Sequence, residues 1–426
     1  MKAHSLAEYG GLCRKKGTHW RAFATAAFRG SMQKVQVTTS LSEGLLYQMT
    51  HGSMEGFLPL KIRAEGNSDK DKGKEGEKKG NTMNSLNTKD FDFDLPEELI
   101  AQTPIPNRDH ARLMTVDRRS GELGHRHFYD LPELLTDKDC LILNDSKVLP
   151  ARIYGVKEGT GAVVEFLLLR DLGEDRWETL AGPGKRAKTG SRFLFGEGIL
   201  AGEVTAVLPD GNRILSFSCQ GQFLERLSQV GTMPLPPYIK ERLADQSRYQ
   251  TVYAREPGSA AAPTAGLHFT PALLDRIKEK GIPIGFVTLH VGLGTFRPVS
   301  EEKLTDHKMH SERYLMPQET AQLINRTHAQ GGRVVAVGTT SCRTIESVAQ
   351  QGLPLSARQG DTEIYIYPGY RFRGIDGLVT NFHLPKSTLM MLVSALAGRE
   401  AILRAYKEAV AQNYRFFSFG DAMMIL

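Results

Sequence analysis

Several short strings gather histidine, threonine, arginine, lysine and carboxylate side chains where the chain turns. Val337-Gly-Thr-Thr-Ser-Cys-Arg343-Thr-Ile-Glu346 puts Thr339, Thr340 and Ser341 between an apolar run and a helical pattern. A helix start leaves N–H groups free; these can hold a carboxylate or phosphate, or be capped by Thr or Ser. Thr380-Asn-Phe-His383-Leu-Pro-Lys386-Ser-Thr388 repeats the arrangement ahead of an apolar helix. Gly258–Phe269 is a small-residue loop ending in His268, and small residues let a backbone approach a ligand closely. His290-Val-Gly-Leu-Gly-Thr-Phe-Arg297 closes a strand with two glycines, and His310-Ser-Glu312 would set an imidazole and a carboxylate on one side of a strand. Phe416-Phe-Ser-Phe-Gly-Asp421 ends in a carboxylate. Histidines and carboxylates so placed suit proton transfer near neutral pH, although each alone reads as readily as a structural group. Gly182–Arg192 carries Lys185, Arg186, Lys188 and Arg192 with no acid, which suits either phosphate contacts or a solvated hairpin tip.

What the sequence lacks narrows the chemistry. It has no G-x-G-x-x-G after a strand, no G-x-x-x-x-G-K-[ST], no H-E-x-x-H and no G-x-S-x-G. Cys13, Cys140, Cys219 and Cys342 are scattered, so neither a zinc site nor a disulfide framework is expected, and no metal is predicted. The longest strongly apolar stretch, near Leu389–Ala397, is far short of a membrane span, which takes about 20 residues. The net charge of +6 belongs entirely to residues 1–88, with 14 Lys+Arg against 8 Asp+Glu; residues 89–426 are neutral. Any nucleic-acid contact by the body must therefore come from local patches.

The elements that would position these groups follow from periodicity. Residues 1–88 read as a disordered N-terminal extension, because the run Asn67–Asn81 is rich in lysine and glycine and cannot offset its chain entropy. Its first forty residues hold one acid, Glu8, which resembles a transit peptide, but Met83 is favoured as the true start. The body opens with a helix capped by Asp94, and Cys140–Asn144 is a buried strand. Residues 153–232 form an inserted small antiparallel β-barrel, from runs such as Ala162–Leu169, Arg192–Phe195, Ala201–Val207 and Arg213–Phe217. Residues 89–152 and 233–426 make up one large α/β domain interrupted by it. In the second part helices at Pro271–Lys280, Pro317–Gln330 and Ser341–Gln350 alternate with strands at Ile282–Val291, Gly332–Gly338 and Glu363–Tyr367. Helices at Lys386–Ala397 and Glu400–Gln412 close the chain.

Taken in order, the strings resemble the S-adenosylmethionine:tRNA ribosyltransferase-isomerase family of queuosine biosynthesis. They include Asn144–Arg152, Pro234–Ile239, Tyr249–Tyr253, Ala262–Phe269, His290–Arg297, Gly338–Ser347, Thr380–Thr388 and Phe417–Met423, and span about Phe91 to Leu426. Cys342 stands where an apolar residue is expected. The resemblance implies transfer and isomerisation of the ribosyl moiety of S-adenosylmethionine onto 7-aminomethyl-7-deazaguanine at the tRNA wobble position. Epoxyqueuosine in tRNA is the product, with release of adenine and methionine. The implied co-substrate is S-adenosylmethionine and the implied partner tRNA, for a cytoplasmic monomer without metal or membrane contact.

Such chemistry needs a base for the acidic C5′ hydrogens beside the sulfonium and an acid for departing adenine. His268, His383 and Asp421 are the expected catalytic groups. His290, Thr339, Thr340, Arg343 and Lys386 are expected to bind S-adenosylmethionine, with Tyr365 or Phe417 facing the sulfonium. Lys185, Arg186, Lys188 and Arg192 are expected to bind RNA. A noncatalytic RNA-binding protein and a tRNA base-exchange transglycosylase are the alternatives.

Overall fold

The computed structural model describes residues 13–16, 19–28, 31–39, 86–241, 243–292 and 301–426. The chain divides into two compact units at Lys78/Lys79. In the first unit β1 (Cys13–Lys16), β2 (His19–Phe28) and β3 (Ser31–Thr39) form an antiparallel sheet, with Trp20 opposite Thr39 and Phe28 opposite Ser31. These strands fall inside the segment expected to be disordered. The lysine-rich run and Met83 lie outside the described residues.

The second unit begins its ordered chain with β4 (Arg112–Val116), β5 (Leu123–His127), β6 (Cys140–Asn144) and β7 (Ser146–Val148). Six strands follow: β8 (Arg152–Lys157), β9 (Val163–Asp171), β10 (Arg176–Gly182), β11 (Arg192–Phe195), β12 (Leu200–Val207) and β13 (Arg213–Ser218). They close into an antiparallel barrel in the order β10-β13-β12-β11-β8-β9, and helix α1 (Phe223–Val230) packs beside it. Alternate residues point inward, and Phe166, Trp177, Phe193, Phe195, Phe217 and Phe223 fill a core separate from that of the large sheet. The chain enters and leaves the barrel side by side: Arg152 and Thr232 exchange N–H···O bonds of 3.1 and 2.8 Å.

After the barrel come β14 (Glu256–Ser259), α2 (Pro271–Glu279), β15 (Ile284–Leu289), β16 (Glu312–Met316), α3 (Gln318–Ala329), β17 (Val334–Val337) and α4 (Gly338–Ala349). The rest is β18 (Arg358–Thr362), β19 (Gly377–Asn381), α5 (Thr388–Ala397), α6 (Arg399–Ala411) and β20 (Ala422–Ile425). Nine strands make one sheet in the order β18-β16-β15-β6-β17-β19-β20-β4-β5. Its centre, β15, β6, β17 and β19, is parallel. These strands are buried on both faces, as parallel sheets are. In β6, Cys140 and Ile142 enter the core under α3, α4 and α5, whereas Leu141 and Leu143 enter the core under α2.

Three sequence expectations shift. Asp94 caps no helix, since only a 3-10 turn at Glu97–Leu99 forms there, preceded by Pro96. The alternating Glu363–Tyr367 is not a strand: β18 ends at Thr362, whose hydroxyl accepts the Ile364 N–H at 3.2 Å, and Ile364 and Ile366 bury without strand pairing. Strand β17 passes directly into α4 at Gly338, so Thr339–Ser341 form the helix's first turn instead of a loop before it. Cys342 is fully buried in the main core, where a thiol behaves as a small hydrophobe.

Candidate active site

The parallel strands β15, β6, β17 and β19 end at one edge of the sheet, where ligands gather in open α/β folds. A single segment, Gly258–Phe269, runs along that edge and visits three strand ends in turn. At β15, Gly258 has φ +142° and a Cβ there would lie 2.9 Å from the His290 ring, so only glycine permits the approach. At β17, Ala265 packs beside Gly338, which itself has φ +87°. At β19, His268 Nε2 lies 3.2 Å from Asn381 Nδ2, while Thr264 donates to Asn381 Oδ1 at 3.0 Å. Ser259 fastens the segment, accepting the Val291 N–H at 3.0 Å and donating to the Ala261 carbonyl at 2.7 Å.

Helix α4 opens onto this edge with no side-chain cap, leaving its first-turn N–H groups for an anion. Thr340 Oγ1 is buried without a hydrogen-bond partner, and so is His290 Nδ1. One turn on, Arg343 is 6% exposed and pairs with Glu312, itself 5% exposed, whose other oxygen accepts the Gly292 N–H at 3.0 Å. The Nε and Nη2 atoms of Arg343 are buried and unpartnered. Buried polar atoms are rarely left so, and four of them on His290, Thr340 and Arg343 mark a place for a polar ligand. Glu312 therefore partners Arg343 and not His310, which precedes the strand and is exposed. Of the His290–Arg297 string, residues beyond Gly292 lie outside the described residues.

The expected catalytic trio does not share one cleft. His268 lines a cleft with Arg108, Arg248, Leu267, Ser418 and Gly420. Burial pulls its pKa down to about 4, against a hydrogen bond to the Arg108 backbone that favours protonation, so the ring is neutral at pH 7. His383 follows the same strand, β19, but hydrogen-bonds Thr380 Oγ1 at 2.9 Å while its N–H donates to the Tyr406 hydroxyl at 2.9 Å. Burial pulls it to about 3. Asp421 is buried and fully engaged: it accepts the backbone N–H of Arg112 and that of Arg415, each at 2.8 Å, and the Arg112 guanidinium at 3.4 Å.

The remaining expected residues spread outward. Lys386 is exposed and pairs with Asp92 at 2.8 Å. Phe417 packs on Tyr238 with ring centroids 4.9 Å apart, and the Tyr365 hydroxyl reaches Met391 Sδ at 2.9 Å. Lys185, Arg186, Lys188 and Arg192 are all exposed at one end of the barrel, and Arg192 pairs with Glu203 at 3.1 Å. Arg213 holds this loop by donating to the carbonyls of Gly184 at 2.7 Å and Ala187 at 3.2 Å. Sequence reasoning missed Asn381 as the partner of His268, along with Arg108, Arg248 and Arg213. Asn381 stood inside a quoted string, but its partners lie 36 to 117 residues away. Asn144 and Asp145, at the end of β6, act as pins: Asp145 accepts Thr288 Oγ1 at 2.7 Å and Arg255 at 2.8 Å. Among the described residues no group of three or more His, Cys, Asp and Glu side chains could hold a metal ion, and no helix is long and apolar enough to cross a membrane.

An α/β sheet with a polar carboxyl edge, interrupted by a closed barrel that bears a basic loop, defines an α/β enzyme with an inserted barrel. Residues 88–425 match the family described as queuosine biosynthesis protein, and the chain belongs to that family. It is 58% identical over 341 residues to the S-adenosylmethionine:tRNA ribosyltransferase-isomerase of Desulfitobacterium hafniense, covering 80% of this chain and all of that one. The solved S-adenosylmethionine tRNA ribosyltransferase of Thermotoga maritima is 40% identical, with 79% of this chain and all of that chain covered and a TM-score of 0.47.

Proposed function

We infer that the chain is an S-adenosylmethionine:tRNA ribosyltransferase-isomerase. It moves and isomerises the ribosyl moiety of S-adenosylmethionine onto 7-aminomethyl-7-deazaguanine in tRNA, giving epoxyqueuosine-tRNA and releasing adenine and methionine. The observation that carries this is 58% identity across the whole of a relative bearing that name. Both substrates place the reaction in the cytoplasm.

The edge of the sheet divides the labour as follows. The methionine carboxylate of S-adenosylmethionine sits at the start of α4, on its first-turn N–H groups and the hydroxyls of Thr339 and Thr340. Arg343, three residues beyond Thr340 on the same helix face, offers its free Nε and Nη2, and His290 offers Nδ1. The tRNA base enters the cleft at His268. Being neutral, His268 is the group able to accept a proton, once Asn381 yields its hold on Nε2. His383 and Asp421 are positioning residues in this scheme, because their polar atoms are turned to Thr380, Arg112 and Arg415. Exposed Lys185, Arg186, Lys188 and Arg192 meet tRNA phosphates.

The test is adenine release from S-adenosylmethionine, measured with and without tRNA carrying the aminomethyl base. Release that depends on that tRNA is expected. Binding of tRNA without adenine release would instead indicate a noncatalytic RNA-binding protein. Release of free base from tRNA without S-adenosylmethionine would indicate base exchange.

A further inference from the structure

Arg108 and Arg248 hold their charges side by side without acidic partners. Arg108 lies in the turn before β4; its Nη1 donates to the carbonyls of Gln250 at 2.8 Å and Leu267 at 3.3 Å, and its Nη2 to Ser247 at 3.1 Å. Arg248 returns the contact, donating to the carbonyls of Ile105 at 2.6 Å and Pro106 at 3.1 Å, while its Nε is buried and unpartnered. Carbonyl oxygens fix both guanidinium planes but neutralise neither. Among the described residues neither arginine makes an ion pair. Asp245 lies near enough to favour the charge on Arg108, but burial and the neighbouring Arg248 oppose it more strongly.

Both arginines line a cavity of about 250 Å³ together with Asn107, Asp109, Thr270 and Pro271. Asp109 is the one carboxylate there, and it is engaged by the Thr270 hydroxyl at 3.0 Å. Thr270 and Pro271 bring the positive end of α2 to the same wall. The same two arginines also line the His268 cleft, so the two spaces adjoin. Preset guanidinium forks, an amide and a helix start suit a phosphate, and a phosphate held there would present its neighbouring nucleotide to His268.

We propose that the Arg108–Arg248 pair is a phosphate-binding site for the backbone of the RNA substrate, beside the nucleotide that enters the His268 cleft. The proposal rests on the reading of the chain as a tRNA-modifying enzyme. It adds a contact on the large domain, distinct from the basic loop of the barrel.

Binding of an anticodon stem-loop RNA is measured against salt for the full chain and for Arg248→Ala and Arg248→Lys, with S-adenosylmethionine affinity measured alongside. The unmodified chain binds the stem-loop with an affinity that falls as salt rises. Arg248→Ala binds about tenfold more weakly, as for a lost hydrogen bond to a charged group. Its salt slope falls by about one released counterion. Arg248→Lys recovers the slope, and S-adenosylmethionine affinity stays within about twofold in both, as a site reading only RNA phosphate requires. Arg248→Ala with the parent's affinity and slope overturns the proposal. So does an Arg248→Lys variant as weak as the alanine one, which would assign Arg248 to loop packing. A parent chain that binds no stem-loop at low salt overturns the tRNA reading itself.

Discussion

Replacing Asp421 by Asn separates a carboxylate that moves a proton from one that holds the chain. The two oxygens of Asp421 each accept a backbone N–H at 2.8 Å, from Arg112 and Arg415. They also lie 3.4 Å from the Arg112 guanidinium, which in turn sits 3.9 Å over the Tyr414 ring. An asparagine has one oxygen, so its NH2 must face one of those two N–H groups, donor against donor. One charge-assisted hydrogen bond is lost and a buried N–H is left unpaired, together about 3 kcal/mol. At about 2 °C per kcal/mol for a body of this size, the melting temperature should fall by roughly 6 °C. Adenine release, assayed well below that transition, should fall by less than about tenfold, since Asp421 lines no part of the His268 cleft. The paired measurements are a thermal scan and kcat on the same preparation. An unchanged melting temperature with turnover lower by about 10²–10⁴-fold would make Asp421 an acid or base and refute the positioning role.

Three further outcomes are expected. Glu312→Gln leaves the buried Arg343 charge uncompensated and should cost about 3–5 kcal/mol by urea unfolding, whereas a loss under about 1 kcal/mol would mean that the pair is well solvated. Folding lowers the pKa of His268 to about 4 and of His383 to about 3, so below pH 6.5 the unfolded chain takes up protons that the folded chain refuses. Their stabilisation is complete above pH 6.5 and is lost as pH falls towards 4 and then 3; His268→Gln should flatten the acid limb of melting temperature against pH, and an unaltered limb would contradict its burial as a neutral ring. Exchanging Lys185, Arg186, Lys188 and Arg192 together for alanine should reduce the salt slope of tRNA binding by about three, because Arg192 already spends its charge on Glu203, and an unchanged slope would clear the loop of any role.

The large elements were legible because their periods are regular. Helices α2, α3, α5 and α6 fall within two residues of the expected bounds, and β17 was marked by its unbroken Val-Val-Ala-Val. Strands β8 and β10 escaped notice because their polar and charged residues, such as Tyr154 and Glu178, face outward and dilute the apolar signal. Glu363–Tyr367 alternates like a strand, but burial of Ile364 and Ile366 against the core satisfies that pattern without a pairing partner. The site was legible as a set of segments meeting at one sheet edge. Which side chains would be spent on structure was not, because each is decided by a partner remote in sequence: Arg112 for Asp421, Arg343 for Glu312, Gln250 and Leu267 for Arg108.

The barrel's attachment has a consequence for how such a chain can be altered. Arg152 and Thr232 form a mutually hydrogen-bonded pair, a geometry that sets their Cα atoms about 5.5 Å apart. A gap so narrow can be bridged by a tight turn, and the barrel's aromatic centre shares no residue with the cores of the large sheet. The large sheet thus experiences the whole module as it would a surface hairpin. Exchange of this module for another, or its excision, tampers with one loop position of the host and leaves the carboxyl edge of the parallel strands untouched. Substrate preference can in this way drift on the appended piece while the chemistry stays fixed on the frame.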